Sequence, residues 1–205
     1  MILTQFLSPV FVKSFDYKDE YLDITEMARA PFFCTHIDKE MPLVIPKDWQ
    51  GCLYASEKVL AEILAENEWC TNVYLLGNNK EISVLLSNSN SIKVTMFPVG
   101  IVPDDCCMLF LEDAYISCLF TSRVGNFLDE MFHNSLLKEK IRHGIDVLYI
   151  DDSIYGNQLS ADSDHPNEFQ LRALVYFVRP KEVIGNNGNE LPQYIKELCD
   201  GIGIF

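Results

Sequence analysis

Residues 71–121 read TNVYLLGNNKEISVLLSNSNSIKVTMFPVGIVPDDCCMLFLEDAYISCLFT, and this stretch decides the fold. It holds five short runs, NVYLLG, EISVLL, IKVTMF, CMLFLE and YISCLF, each rich in Val, Ile, Leu or aromatic residues. That composition suits half-buried pleated strands. GNNK and SNSNS separate the first three runs, and polar links this short join neighbouring strands as hairpins. Parallel neighbours would need a crossover of about a dozen residues or more, so the spacing predicts an antiparallel meander.

Upstream, the chain from about Ala55 to Trp69 reads as a helix. Ser56 is its N-cap, and Val59, Leu60, Ile63 and Leu64 repeat at helical spacing opposite Glu57, Lys58, Glu62 and Glu66. Downstream, a second main helix is expected over about 125–143, with Phe127, Leu128, Met131, Phe132, Leu136, Leu137 and Ile141 as its apolar stripe and Gly144 as its stop. DVLYI predicts a strand near 146–150. DDSIYGNQLSADSDHPNE reads as a long polar loop, and FQLRALVYFV as a strand near 169–178 closed by Pro180. PQYIKELCDG is a last short helix. Towards the N-terminus, MILTQFL and PVFVKSF read as strands split by Pro9, DEYLDITEMARA as a helix stopped by Pro31, and PFFCTHI and MPLVIP as extended segments. No repeat or shift in composition divides the chain. The expected fold is therefore α+β: one acidic domain over 1–205, a mainly antiparallel sheet packed with two main helices.

The charge balance is the second strong signal. Sixteen Lys and Arg stand against 30 Asp and Glu, a formal net of −14, on a chain that is 48% hydrophobic. Such a surface repels nucleic-acid backbones and anionic membranes and attracts basic surfaces. KEKIRH is the one basic cluster, and Glu139 interrupts it, so direct nucleic-acid binding is not expected. No run reaches the roughly 20 apolar residues that span a bilayer, and the N-terminus lacks the basic start and cleavage site of a signal peptide. The expectation is a cytoplasmic protein. The seven cysteines, Cys34, Cys52, Cys70, Cys106, Cys107, Cys118 and Cys199, are odd in number, form no C-x-x-C and sit mostly in apolar runs. They read as reduced, buried thiols, with no cofactor expected.

Chemistry has three candidate locations. The loop after the 146–150 strand carries Asp151, Asp152, Asp162, Asp164, His165 and Glu168, in no Ca²⁺-loop pattern. Its five carboxylates are offered to a basic partner. A second location is the run Thr35-His36-Ile37-Asp38. Residues i and i+2 of a strand share a face, so His36 and Asp38 could chelate one metal, with His165 as a distant third ligand. With Arg172 as a cation for a co-substrate carboxylate, that order resembles the 2-oxoglutarate oxygenases. Cys34, two residues before His36, is the third location, as a nucleophile. Phosphate loops and the G-x-S-x-G elbow do not occur. Function then divides three ways. The reading that the charge favours is a non-enzymatic protein whose acidic face binds a basic protein partner, as an inhibitor, immunity protein or nucleic-acid mimic. A second is a subunit of a viral or phage particle. The third is a metal-dependent enzyme, oxygenase-like or hydrolase, built on His36, Asp38 and His165.

Overall fold

A computed structural model describes residues 2–3, 10–13, 30–36, 45, 47–86, 89–99, 106–121, 132–150, 166–186 and 190–203. Its first sheet holds β1 (Ile2–Leu3), β2 (Val10–Lys13), β3 (Phe32–Cys34), β4 (Leu53–Ala55) and β5 (Val73–Leu75) in that spatial order. β1 and β2 are antiparallel, and β2 to β5 run parallel. The second sheet holds β6 (Glu81–Leu85), β7 (Ser91–Val99), β8 (Cys106–Glu112), β9 (Ser117–Phe120), β10 (Ile145–Ile150) and β11 (Pro180–Gly185). β6 to β9 form the expected antiparallel meander, whereas β9, β10 and β11 are parallel. Helices α1 (Glu57–Glu66), α2 (Ser135–Lys140), α3 (Glu168–Val178) and α4 (Gln193–Ile202) complete the α+β fold.

The apolar clusters order these elements into layers. Val12, Phe33, Tyr54 and Leu76 of the first sheet meet Val94, Leu109, Phe120 and Tyr149 of the second, so the sheets pack face to face. The outer face of the first sheet, Phe32, Cys34, Leu53 and Ala55, is covered by Val59, Leu60 and Ile63 of α1. The outer face of the second, Phe110, Leu119 and Leu148, is covered by Leu137 of α2, Leu174 and Val178 of α3, and Ile195 of α4. The result is an αββα sandwich.

Three expectations are corrected. First, the sheets are mixed, because residues 71–76 leave the meander: β5 pairs with β4 in the other sheet, where Tyr74 stacks on Tyr54 at 5.0 Å. Second, residues 169–178 form helix α3, not a strand. Asn167 caps it, accepting from Gln170 N at 2.9 Å while its own N donates to Gln170 Oε1 at 2.8 Å. Leu171, Leu174, Val175 and Val178 are buried and Phe169 and Tyr176 exposed, which is a period near 3.6, not 2. This helix is the crossover that the parallel pair β10 and β11 needs. Third, the helix expected over 125–143 is described only as α2, capped by Asn134, whose Oδ1 accepts from Leu137 N at 3.0 Å. Residues 122–131, with Phe127, Leu128 and Met131, lie outside the described residues, as do 14–29 and 41–44. The cysteines are reduced thiols, five of them buried. Burial pushes the Cys118 thiol up to about 12, so it behaves as a small apolar side chain. Among the described residues, no helix is long and apolar enough to cross a membrane.

Gly144 joins α2 to β10 at φ +80°, and a Cβ there would lie 2.7 Å from Arg179 O. Both the backbone angle and the contact oppose any side chain. Gly144→Ala should cost about 2–3 kcal/mol in urea unfolding; a loss below ~0.5 kcal/mol would mean that the turn relaxes freely.

Ion pairs fasten the edge of the second sheet near the start of β10. Lys140 Nζ bonds Glu81 Oε2 at 2.5 Å and also bonds Glu112, and Lys181 Nζ bonds Asp146 Oδ1 at 2.6 Å. The Lys140 hydrogen bond holds the Glu81 carboxyl below its ordinary range. Burial raises the Asp146 carboxyl, and the Lys181 ammonium with Ser117 N and Oγ outweighs it, so the net direction is down. Carboxylates held low stabilise the fold above their unfolded values, about 4, and that contribution is lost as pH falls through the lower folded values. Lys140→Met should therefore destabilise by about 1–2 kcal/mol at pH 7 and by clearly less at pH 3. Urea unfolding at both pH values checks this, and an equal loss at both would refute the pairing as the cause.

Candidate functional site

β9, β10 and β11 run parallel and so end on one side of the second sheet. Loops at the carboxyl ends of parallel strands are where such folds place their ligands. Here the strand ends are tied together. Thr121, just past β9, donates from N and Oγ1 to Tyr149 O at 3.0 and 2.7 Å. Asn186, just past β11, donates from its backbone N to Ile150 O at 2.8 Å and from Nδ2 to Thr121 O at 2.5 Å.

The end of β3 meets the same edge. Cys107, near the start of β8 and so level with the end of β9, directs its Sγ to Thr35 O at 3.5 Å. Thr35 and His36 follow β3 directly and are 1% and 2% exposed. Thr35 Oγ1 lies 3.1 Å from His36 Nδ1, and Cys34 Sγ donates to His36 O at 3.2 Å. When Nδ1–H donates to Thr35, Nε2 carries the lone pair that a metal requires. The edge thus combines one buried imidazole, two threonine hydroxyls and one buried amide.

Of the residues singled out from sequence, His36 stands at this edge. Asp38, Asp151, Asp152, Asp162, Asp164 and His165 lie outside the described residues. Glu168 is the first residue of α3 and accepts from Arg172 Nε at 2.8 Å. Arg172, expected on a strand, is on that helix, and its guanidinium also covers the Tyr194 ring at 5.3 Å. Cys34 is fully buried, with its thiol engaged by a backbone carbonyl, which removes it as an exposed nucleophile. Sequence reasoning passed over Thr121 and Asn186. Asn186 opens GNNGNE, which reads as a flexible link, although its place directly after an apolar strand is the signal that marks a strand-end residue.

No protein-family model and no curated protein matches the chain. Solved structures do match. CmlA, a diiron β-hydroxylase from Streptomyces venezuelae, is 15% identical with a TM-score of 0.55, over 82% of this chain and 38% of that one. This chain therefore spans less than half of CmlA's length. A protein of Parabacteroides distasonis, assigned as a metal-dependent hydrolase, is 15% identical with a TM-score of 0.55, over 93% and 79%. YhfI of Bacillus subtilis, a metallo-β-lactamase-fold protein, is 11% identical with a TM-score of 0.54, over 85% and 70%. At these identities the likeness is one of fold. It overturns the acidic-inhibitor and particle-subunit readings, because the fold is shared with a diiron β-hydroxylase and with a protein assigned as a metal-dependent hydrolase. The charge of −14 misled because net charge reports the surface field and carries no information about the fold beneath it.

Proposed function

We propose that the chain is a metal-dependent enzyme of hydrolase type, with its metal held at the strand-end edge by His36, Asp38 and His165. The observation that carries this reading is the burial of His36 directly past β3, whose end is bonded to Cys107 near the start of β8, in a fold shared with metal enzymes. The donor chemistry fits on the β3 side: Thr35 orients the imidazole through Nδ1, and burial excludes competing water. The remaining ligands in this reading are Asp38 and His165, which lie outside the described residues. Asp38 follows His36 by two residues, the spacing at which extended backbone puts side chains on one face. One carboxylate with two imidazoles accepts Mn²⁺, Fe²⁺ or Zn²⁺. The metal would supply a water acidic enough to ionise near neutral pH. Thr121 and Asn186 hold the facing strand ends rigid through their bonds to Tyr149, Ile150 and each other. The reduced thiols support a cytosolic compartment.

Metal titration tests the reading. Protein stripped with a chelator and returned to saturating Mn²⁺, Fe²⁺ or Zn²⁺, at about 100 times Kd, should gain ~2.7 kcal/mol, roughly 5–10 °C in melting temperature. A melting temperature indifferent to all three metals would remove the metal enzyme from consideration.

A further inference from the structure

Helix α3 has no polar face. Glu168, Gln170 and Arg172 are the polar residues of EFQLRALVYFV, and the last six positions are all apolar. A helix on the outside of a fold normally buries one stripe and turns charged residues to water on the other, whereas one that is apolar all round is covered on both sides. Leu171, Leu174, Val175 and Val178 pack on the second sheet. At about 100° per residue, Phe169, Ala173 and Tyr176 stand on the opposite side of the helix. Phe169 and Tyr176 are 71% and 69% exposed. On one flank Phe177 meets the ring of the exposed Phe132 at 5.6 Å. On the other flank Arg172 bonds Glu168 at 2.8 Å and covers Tyr194 of α4.

This stripe is complementary to itself. Two antiparallel helices related by a two-fold axis bring like flanks together and set the start of one helix beside the end of the other. With the axis beside Ala173, Phe169 meets Tyr176 and Phe177 of the second copy, and the small Ala173 lets the two backbones approach. Glu168, the first residue, then faces Arg179 of the second copy, the residue that caps the other end, and symmetry makes this pair twice. Arg179 spends one nitrogen on Arg142 O at 2.7 Å and meets no carboxylate among the described residues, so its guanidinium keeps donors for the contact. The helix dipoles oppose one another in this arrangement. Parallel pairing would instead bring like charges together at both ends and set the aromatic flank against the ionic one.

We propose that two copies of this chain associate through α3, antiparallel about a two-fold axis beside Ala173, an inference independent of the metal-enzyme reading above. The occupant of the stripe is a second copy because aromatic residues at both ends of one helix and opposite charges beyond them match only their own reverse. The formal charge of −14 on each copy is screened beyond about 8 Å at physiological ionic strength, and Arg172 and Arg179 outnumber the one carboxylate of α3 at the contact itself. Three exposed rings from each copy, with their flanks, bury roughly 1,000 Å², the low end for a specific interface, so the dimer dissociates in the micromolar range, on the order of 10 µM.

Sedimentation equilibrium of the full chain tests this. Wild type should pass from monomer to dimer across the micromolar range. Phe169→Gln and Tyr176→Gln should each weaken the dimer at least about tenfold, while the melting temperature of dilute, monomeric protein stays within a degree or two because both rings are already in water. Glu168→Arg and Arg179→Glu should each weaken it about fivefold or more, since each breaks two ion pairs, and the double reversal Glu168→Arg/Arg179→Glu should regain most of that loss. A wild-type chain that stays monomeric throughout, whatever other protein it captures, overturns the proposal. So does a dimer that survives both Gln variants unchanged. A double reversal no tighter than either single one overturns the antiparallel pairing.

Discussion

Phe33→Ala should destabilise the protein by about 4 kcal/mol, a large share of the roughly 5–15 kcal/mol that separates folded from unfolded chains. Phe33 is fully buried at the centre of β3 and stacks on Tyr54 at 5.0 Å and 27°. Tyr54 in turn stacks on Tyr74, so one aromatic column crosses β3, β4 and β5. The first sheet meets the second through Val12, Phe33, Tyr54 and Leu76, and Phe33 has the largest side chain of these that is wholly out of water. Truncation leaves a cavity between two sheets that neighbouring strands hold apart, so it cannot collapse. The lost stacking adds about 0.5–1.5 kcal/mol. For a chain of this length the melting temperature should drop by roughly 8–16 °C. A fall of only a few degrees would show that the sheets are not coupled through this residue.

His36→Ala should weaken metal binding at least about 100-fold, near 2.7 kcal/mol. Metal-free stability should fall as well, by about 2–4 kcal/mol, because the truncation empties a buried position and removes the hydrogen bond with Thr35. The diagnostic is the part of the loss that appears only with metal. A buried histidine of purely structural use would lose stability equally with and without metal, whereas a ligand loses the metal-linked part. Dialysis with elemental analysis, run beside urea unfolding of the metal-free forms, separates them. Unchanged metal content in His36→Ala would contradict its assignment as a ligand.

How much was legible varies by element for physical reasons. α1 was readable because Ser56, its side chain accepting from Val59 N at 3.4 Å, and its apolar stripe are local signals that agree. The β6 to β9 meander was readable because short polar links leave adjacent strands little choice of partner. FQLRALVYFV was not. A ten-residue apolar run fits a buried strand or a buried helix equally, and the decision came from Asn167, whose capping box lies outside the run. NVYLLG was a strand as read, yet it joined the other sheet, because β4 and its Tyr54 ring offered a parallel partner 20 residues away. At the site, His36 was visible as a metal-type residue after a strand, whereas Asn186 was hidden in a glycine- and asparagine-rich segment.

By itself, then, the sequence determined which segments bury apolar faces, that helices and strands mix, that the thiols stay reduced, and that the folded surface is strongly acidic. These are properties of short windows or of composition, and each residue carries its share of them locally. Only the tertiary structure decided that the strands divide into two facing sheets, that β9, β10 and β11 run parallel, and that Thr121 and Asn186, 65 positions apart in the chain, are bonded across the strand ends. Strand pairing is set by burial between distant segments, and no local periodicity encodes which partner a half-buried face will find.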